Sequence, residues 1–384
     1  MLKALWRVGQ RPKFRPKTIK GFIHDAGQQP EEDRGYYPAQ VGDLLDDRYK
    51  VISVLGKGMQ SEVFFVEDSE TKKHWAVKIL RDSTTQHSSE LDVLQTIRRK
   101  TTERPKCGSS HVIQLQDHFT LTSPGERRHI CLVMERLGVS IGRLQEDYRT
   151  RQLPLLLVKR ITKQLLKALA FLHDECHVVH TDLKQDNILC CETSGVEILS
   201  EIKLIDFGVA GFTDGTPAQV AQPVQLRAPE VFLGCRWDSK ADVWNLGCLV
   251  FELLTGTALF PNYSGANFTV ESFVLGSMPG VVGENFPDWM LRDGSRRDTY
   301  FVAHCESILT MRLYNLKTAL ACYNVLSEQE LKDCACFLHD ALRLDPKTRG
   351  TAADLLRHEW VRNHDDPLVC SAIRASVSVF PTQN

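Results

Sequence analysis

Within the run His180–Leu189, "HTDLKQDNIL", three polar residues have types and spacing suited to chemistry: Asp182, Lys184 and Asn187. They follow the apolar pair Val178-Val179 and close on Ile188-Leu189, so the sequence places them at the end of a buried strand. A carboxylate there can accept a proton from, or orient, an incoming hydroxyl. Lys184, two residues on, points the same way and can neutralise charge on a transferring group. Asn187 offers a neutral oxygen to Mg2+, and Asp206 in "LIDFG" offers a charged one. Hard oxygens are what that ion prefers. Taken singly, each of these residues also reads as a satisfied polar loop residue.

A second set lies earlier in the chain. Gly56-x-Gly58-x-x-Ser61-x-Val63 falls between two strand-like runs. A glycine turn there lets backbone N–H groups approach polyphosphate with no Cβ in the way. Ser61 stands where a third glycine would give more freedom, and its hydroxyl can itself reach a phosphate. Lys78 in "WAVKIL" has strand residues on both sides, so it is either an exposed edge residue or an inward-facing cation. Glu90 follows on a helix-like stretch with Leu94 and Ile97 at i+4 and i+7. That face is expected to turn to the sheet, bring Glu90 toward Lys78 and hold the ammonium beside phosphates.

The elements that must position these groups change character along the chain. Strand patterns occur at 49–55, 62–68, 74–80, 111–119 and 129–135, the first two joined by a glycine-turned hairpin. The stretch "SSELDVLQTIRRK" is helical, with Ser88 or Ser89 as its cap. After Gly138 the periodicity is helical: Ile161, Leu165, Ala168, Leu169 and Leu172 share one face. Residues 241–256 are apolar nearly all round, which predicts a buried central helix. Two short helices are expected at 328–342 and 351–359. The class is α+β: a β-rich lobe followed by a larger helical one, with a hinge near 135–138.

Composition narrows the field. The chain has 384 residues and a formal net charge of −1, which argues against bulk attraction to nucleic acid or membrane. Among the readings excluded is a transmembrane helix, since no run of about 18 apolar residues exists. Twelve cysteines are scattered without zinc-finger or CxxC spacing and are expected to be buried reduced thiols, with a structural metal site as the alternative. The first twenty residues carry seven Lys/Arg and no acid. They read as an unstructured basic arm, with a nuclear-localisation patch or a presequence as alternatives.

Taken in order, the glycine loop, "AVK", "HTDLKQDN", "DFG", "APE" (Ala228 to Glu230), "DVWNLG" and "DPKTRGTAADLLRHEW" resemble a eukaryotic protein kinase over residues 45–362. The resemblance implies a two-lobed protein-kinase fold, with one main helix in the β-rich N-lobe (about 49–137) and a mostly helical C-lobe (about 138–362). Residues 1–48 would form the basic arm and linker and 363–384 a tail. It implies ATP and Mg2+ as cofactors. ATP would lie against Leu55, Gly56, Lys57, Gly58, Met59, Gln60, Ser61, Glu62, Val63, Ala76 and Leu189. Met134 would be the gatekeeper, and Glu135 and Leu137 would present backbone groups to adenine. Lys78, fixed by Glu90, would hold phosphates; Asn187 and Asp206 would carry metal; Asp182 would handle the substrate hydroxyl and Lys184 would offset charge. Arg349 is expected to pair with Glu230 as a buried structural pair.

A narrower likeness lies in "RGYYPAQVGDLLDDRYKVISVLGKGMQSEVFFV", which is similar to the start of the SR-protein kinases. Those kinases phosphorylate serines in Arg/Ser-rich splicing factors. Ser61 and the "HTD" triplet agree; "DFG", "APE" and the short "CCETSGVEILSE" in place of a long spacer depart from that family. "RAPE" (Arg227 to Glu230) and the 262–327 stretch suit the wider CMGC group. Thr181 stands where an arginine usually grips a phosphate on the activation segment, and from Asp206 to Glu230 only Thr213 and Thr216 bear hydroxyls. This predicts activity without phosphorylation of that segment. The partner expected is a protein substrate, of Arg/Ser-rich splicing-factor type, acted on by a monomer in cytoplasm or nucleus, with no nucleic acid or membrane. The alternatives are a CMGC kinase with another protein substrate and a pseudokinase scaffold.

Overall fold

The computed structural model describes residues 35–103, 108–191, 201–213, 222–265, 268–301 and 315–362. The basic arm, the 363–384 tail and Thr216 lie outside them. The described chain divides into two compact units: residues 35–87 with 116–134, and residues 88–115 with those from 135 onward.

The first unit is built on a six-stranded sheet ordered β1-β2-β3-β4-β6-β5. Its strands are β1 (Leu44–Leu45), β2 (Tyr49–Lys57), β3 (Ser61–Asp68), β4 (His74–Leu80), β5 (Leu115–Ser123) and β6 (Arg127–Glu135). Alternation decides which face is core. Phe64, Val66, Val77 and Ile79 turn to one side and pack with Leu45, Tyr49, Val51, Cys131 and Val133. Val63, Phe65, Ala76 and Lys78 therefore share the other face. The strand expected at 111–119 begins only at Leu115. Ser109–His111 forms a tight 3-10 turn instead, and the Gln114 side-chain amide donates to the carbonyls of Ser109 and Val112.

The second unit is helical, beginning with α1 (Glu90–Glu103). The Ser88 hydroxyl accepts from the Glu90 N–H at 3.1 Å, as a cap residue does at an unpaired first-turn donor. After α1 come α2 (Ile141–Glu146), α3 (Leu155–Ala170), α4 (Pro229–Leu233), α5 (Lys240–Thr255), α6 (Val270–Val282) and α7 (Glu328–Ala341). The predicted face of α3 is buried throughout, and α5 is buried on all sides apart from Lys240 and Glu252. The helix expected at 351–359 is two short turns, Ala352–Leu355 and Glu359–Arg362. A Thr351–Asp354 capping box starts the first. At the second, the His358 ring accepts the Trp360 N–H and its carbonyl accepts from Val361 and Arg362.

Two small ladders hold the loops that matter. β7 (Val178–Val179) pairs with β10 (Gly211–Phe212), and β8 (Ile188–Cys190) pairs with β9 (Ile202–Leu204). Residues 180–187 and 205–210 are thus two loops clamped together at both ends. The described cysteines are free thiols. One trio among the described residues, Cys336, Asp340 and His358, has ligand atoms within 4.8 Å of one another. The Nδ1 of His358 already accepts the Trp360 N–H at 3.1 Å.

Candidate active site

In the first unit, the strand register lines up the glycine loop with the lysine. Gly56 lies opposite Val63 on β3, and Val63 lies opposite Lys78 on β4. Cross-strand neighbours share a face, so Lys78 stands in the row that ends at the glycine turn. β4 is an interior strand and Lys78 is 8% exposed, which makes it the inward cation of the two alternatives. The register slips between Val54 and Gly56, leaving Leu55 on a bulge and half exposed. A Cβ on Gly56 would meet nothing within 4 Å, so the glycine opens onto free space. The turn closes on itself through Gly58 N–H to the Ser61 carbonyl at 2.9 Å. Lys57, Met59 and Gln60 line the turn at the surface and Glu62 beside it is half-buried, with Lys57 Nζ 3.7 Å from Glu62. Ala76 lies two residues before Lys78 on the same face, and Met134 is half-buried near the end of β6.

The second unit carries the remaining predicted residues. Asp182 Oδ2 takes two donors, Lys184 Nζ at 2.6 Å and Asn187 Nδ2 at 2.9 Å. Asn187 Nδ2 also donates to the Asp182 carbonyl at 2.9 Å. The amide is therefore oriented: its NH2 faces Asp182, and no described residue donates to its Oδ1. Asp182 Oδ1 is likewise left without a protein donor among the described residues. One carboxylate oxygen is held and one is presented, which is the arrangement a hydroxyl-orienting base needs. Asp206 sits between β9 and β10 with φ +65°, a left-handed conformation uncommon outside glycine. The Gly208 N–H lies 3.4 Å from its Oδ1. Asn187 Oδ1 with the Asp206 carboxylate is a hard-oxygen set that fits Mg2+.

Beneath these groups lies a support that sequence reasoning missed. Asp242, in the first turn of α5, accepts the backbone N–H of His180 at 2.8 Å and of Thr181 at 2.8 Å. His173 Nε2 lies 2.9 Å from the same carboxylate. Burial alone would raise the Asp242 pKa, but the His173 hydrogen bond, with the His180 backbone N–H, outweighs it and holds the carboxyl below its usual range. His180 is fixed in turn: Nε2 bonds to the Ile205 carbonyl at 2.9 Å, and Nδ1 accepts the Asp182 N–H at 3.2 Å. Those partners specify the neutral tautomer protonated at Nε2. The "DVWNLG" motif was legible, but not what its aspartate holds.

Thr181 adds a second tie between the loops, donating its hydroxyl to the Val209 carbonyl at 2.8 Å. The Ser89 hydroxyl, just before α1, donates to Ala210 at 3.1 Å and joins that helix to the same loop. Glu90 is buried on the α1 face that carries Val93, Leu94 and Ile97. Lys78 lies in the first unit and Glu90 in the second, and both side chains are buried. Glu135 is held by Lys203 at 2.7 Å, while Leu137 and Leu189 are half-buried. Arg349 and Glu230 form the expected buried pair, bidentate at 2.7 and 3.0 Å with neither side chain exposed.

Comparison with known proteins agrees with this geometry. A family model described as "Protein kinase domain" matches residues 49–361. Serine/threonine-protein kinase AFC3 of Arabidopsis thaliana is 31% identical, with 92% of each chain covered. Serine/threonine-protein kinase SRPK of Physarum polycephalum is 28% identical over 88% of this chain and 91% of its own. The DYRK-family kinase pom1 of Schizosaccharomyces pombe is 31% identical over 94% of this chain and 31% of its own. Protein kinases as a family use ATP and Mg2+. The chain belongs to the protein kinase family, as a serine/threonine kinase of the CMGC group.

Proposed function

We propose that this kinase transfers phosphate from ATP to serines in Arg/Ser-rich proteins of the splicing-factor type, without needing a phosphate on its own activation segment. Gly56–Val63 and Lys78 hold the phosphates, Leu55, Ala76, Met134, Glu135, Leu137 and Leu189 serve the adenine, and Glu90 orients Lys78. When bound, ATP supplies the phosphoryl group and Mg2+ neutralises charge on it. Asn187 and Asp206 hold the metal. Asp182 orients the substrate hydroxyl through its presented oxygen and takes its proton, and Lys184 offsets charge from the other side of the carboxylate. Positioning and electrostatics carry such a transfer, since the protein has little covalent chemistry to do.

The observation that carries the phosphate-independent reading is Thr181. A phosphate-gripping arginine is absent there, and the hydroxyl ties residue 181 directly to Val209 at 2.8 Å. The substrate class rests on the likeness to SRPK of Physarum polycephalum and on the "HTD" triplet. The pom1 likeness supports a second reading, a CMGC kinase acting on another protein. Radiolabelled ATP offered with an Arg/Ser-repeat peptide and with a Ser-Pro peptide separates them, with Asp182→Ala as control. Preferential labelling of the Arg/Ser peptide is expected. Labelling of the Ser-Pro peptide alone supports the second reading, and labelling of neither with ATP still bound favours a scaffold.

A further inference from the structure

The lead-in "GYYP" (Gly35 to Pro38) has no part in the chemistry described above, yet it is docked on the back of the glycine loop. The Gly35 carbonyl accepts the Asp82 N–H at 3.0 Å, just past the end of β4. Gly35 has φ +74°, and a Cβ there would stand 2.3 Å from Asp82 Oδ1, so any other residue would be strained and would push the Asp82 carboxylate aside. The next residue, Tyr36, reaches the loop and donates its hydroxyl to the Gly58 carbonyl at 2.7 Å. Arg81 takes the two carbonyls that follow: its Nη1 donates to Met59 O at 2.9 Å and its backbone N–H to Gln60 O at 2.9 Å. The Arg81 guanidinium also lies over the Tyr36 ring at 4.9 Å, as does Lys57 Nζ at 4.3 Å.

Three successive carbonyls at the loop tip are therefore held by one small group of donors. In a trans peptide the C=O and the following N–H point opposite ways. The N–H groups of Met59, Gln60 and Ser61 are accordingly turned away from the Tyr36–Arg81 side. A turn with its carbonyls tied back and its amides turned out is an anion-receiving arrangement. Without the ties, exposed residues 56–60 would have to be ordered when the nucleotide binds.

We infer that Tyr36 and Arg81 form a clamp that pre-organises the glycine loop, making Tyr36 a positioning residue for ATP. The inference rests on the reading that Gly56–Val63 receives the ATP phosphates. It is tested on the full chain by varying ATP and peptide separately in steady-state assays of Tyr36→Phe, Arg81→Lys and Gly56→Val. Loss of a single hydrogen bond should raise KM for ATP about three- to tenfold in Tyr36→Phe. The peptide KM and the melting temperature should stay unchanged, and amide exchange at 58–61 should quicken. Arg81→Lys should give the same pattern and carries the test should Tyr36→Phe fold poorly. A normal ATP KM in both, with a raised one in Gly56→Val, overturns the clamp and leaves the loop's role standing. A normal ATP KM in all three overturns both. Rises in both KM values with a lowered melting temperature mark a merely structural tyrosine and overturn the clamp too.

Discussion

Thr181 reaches two partners at once: its hydroxyl donates to the Val209 carbonyl at 2.8 Å and its N–H to Asp242 Oδ1 at 2.8 Å. It does so with φ +67°, a conformation that costs a β-branched residue about 1–3 kcal/mol. Removing the hydroxyl in Thr181→Val leaves a carbonyl unpaired, at about 1–3 kcal/mol. A drop in kcat of roughly tenfold is expected, with Thr181→Ser near normal. Phosphatase treatment, or replacing Thr213 and Thr216 with alanine, should leave kcat nearly intact. A large loss there would show that a phosphate holds the segment after all.

Asp182 and Lys184 should separate in kinetics. Asp182→Ala is expected to lower kcat by about 10²–10⁴ with little change in KM for ATP. Lys184→Ala should cost less, because Asn187 still orients the carboxylate at 2.9 Å. Equal losses in the two variants would mean that Asp182 acts chiefly as a charge partner.

The Arg349–Glu230 pair has no exposure to soften its loss. Glu230→Ala should destabilise by about 3–5 kcal/mol, since it strands a buried guanidinium. The double variant Glu230→Ala/Arg349→Leu should regain part of this in urea melts. A single variant with an unchanged midpoint would contradict the burial.

Acid should loosen the fold through identifiable carboxyls. Asp68 is held well below the usual carboxylate range, first by the Arg48 guanidinium and then by Thr71 and backbone N–H groups. Asp242 is held down by its His173 bond and by His180 against the upward push of burial. A carboxyl whose folded pKa is depressed stabilises above its unfolded value of about 4, and that stability drains away as pH falls toward the folded value. Urea midpoints should be flat between neutrality and about pH 5 and then decline. In Asp68→Asn the decline should be shallower; an identical acid limb would remove Asp68 from the account.

Thiol labelling reads the packing. Burial pushes Cys131, Cys248 and Cys334 far above the ordinary thiol range, Cys190 and Cys235 up to about 11, and Cys176 up to about 12. Cys322 and Cys336 are exposed. Iodoacetamide under native conditions should therefore modify Cys322 and Cys336 first among these, as mapped by mass spectrometry. Early labelling of Cys248 would mean that α5 is not packed as described.

Legibility in the sequence followed the range of the interactions. Strand patterning exposed β2 to β4, helical periodicity exposed α3, and a run apolar nearly all round exposed α5, because each signal is complete within a short stretch. His111–Gln114 misled, since its apolar alternation belongs to a turn closed by side-chain amide bonds. Asp242 gave no local sign of what it supports, because it serves residues about sixty positions earlier, a pairing that only the packed fold creates. The Tyr36 tie to Gly58 is of the same kind, twenty-two residues apart with no periodicity to betray it.

The grip of Asp242 on the catalytic segment has a consequence for how such an enzyme can change. It holds His180 and Thr181 by their main-chain N–H groups and makes no demand on the side chain at 181. A substitution at 181 can therefore leave both of these main-chain bonds in place, and with them the frame that leads into Asp182.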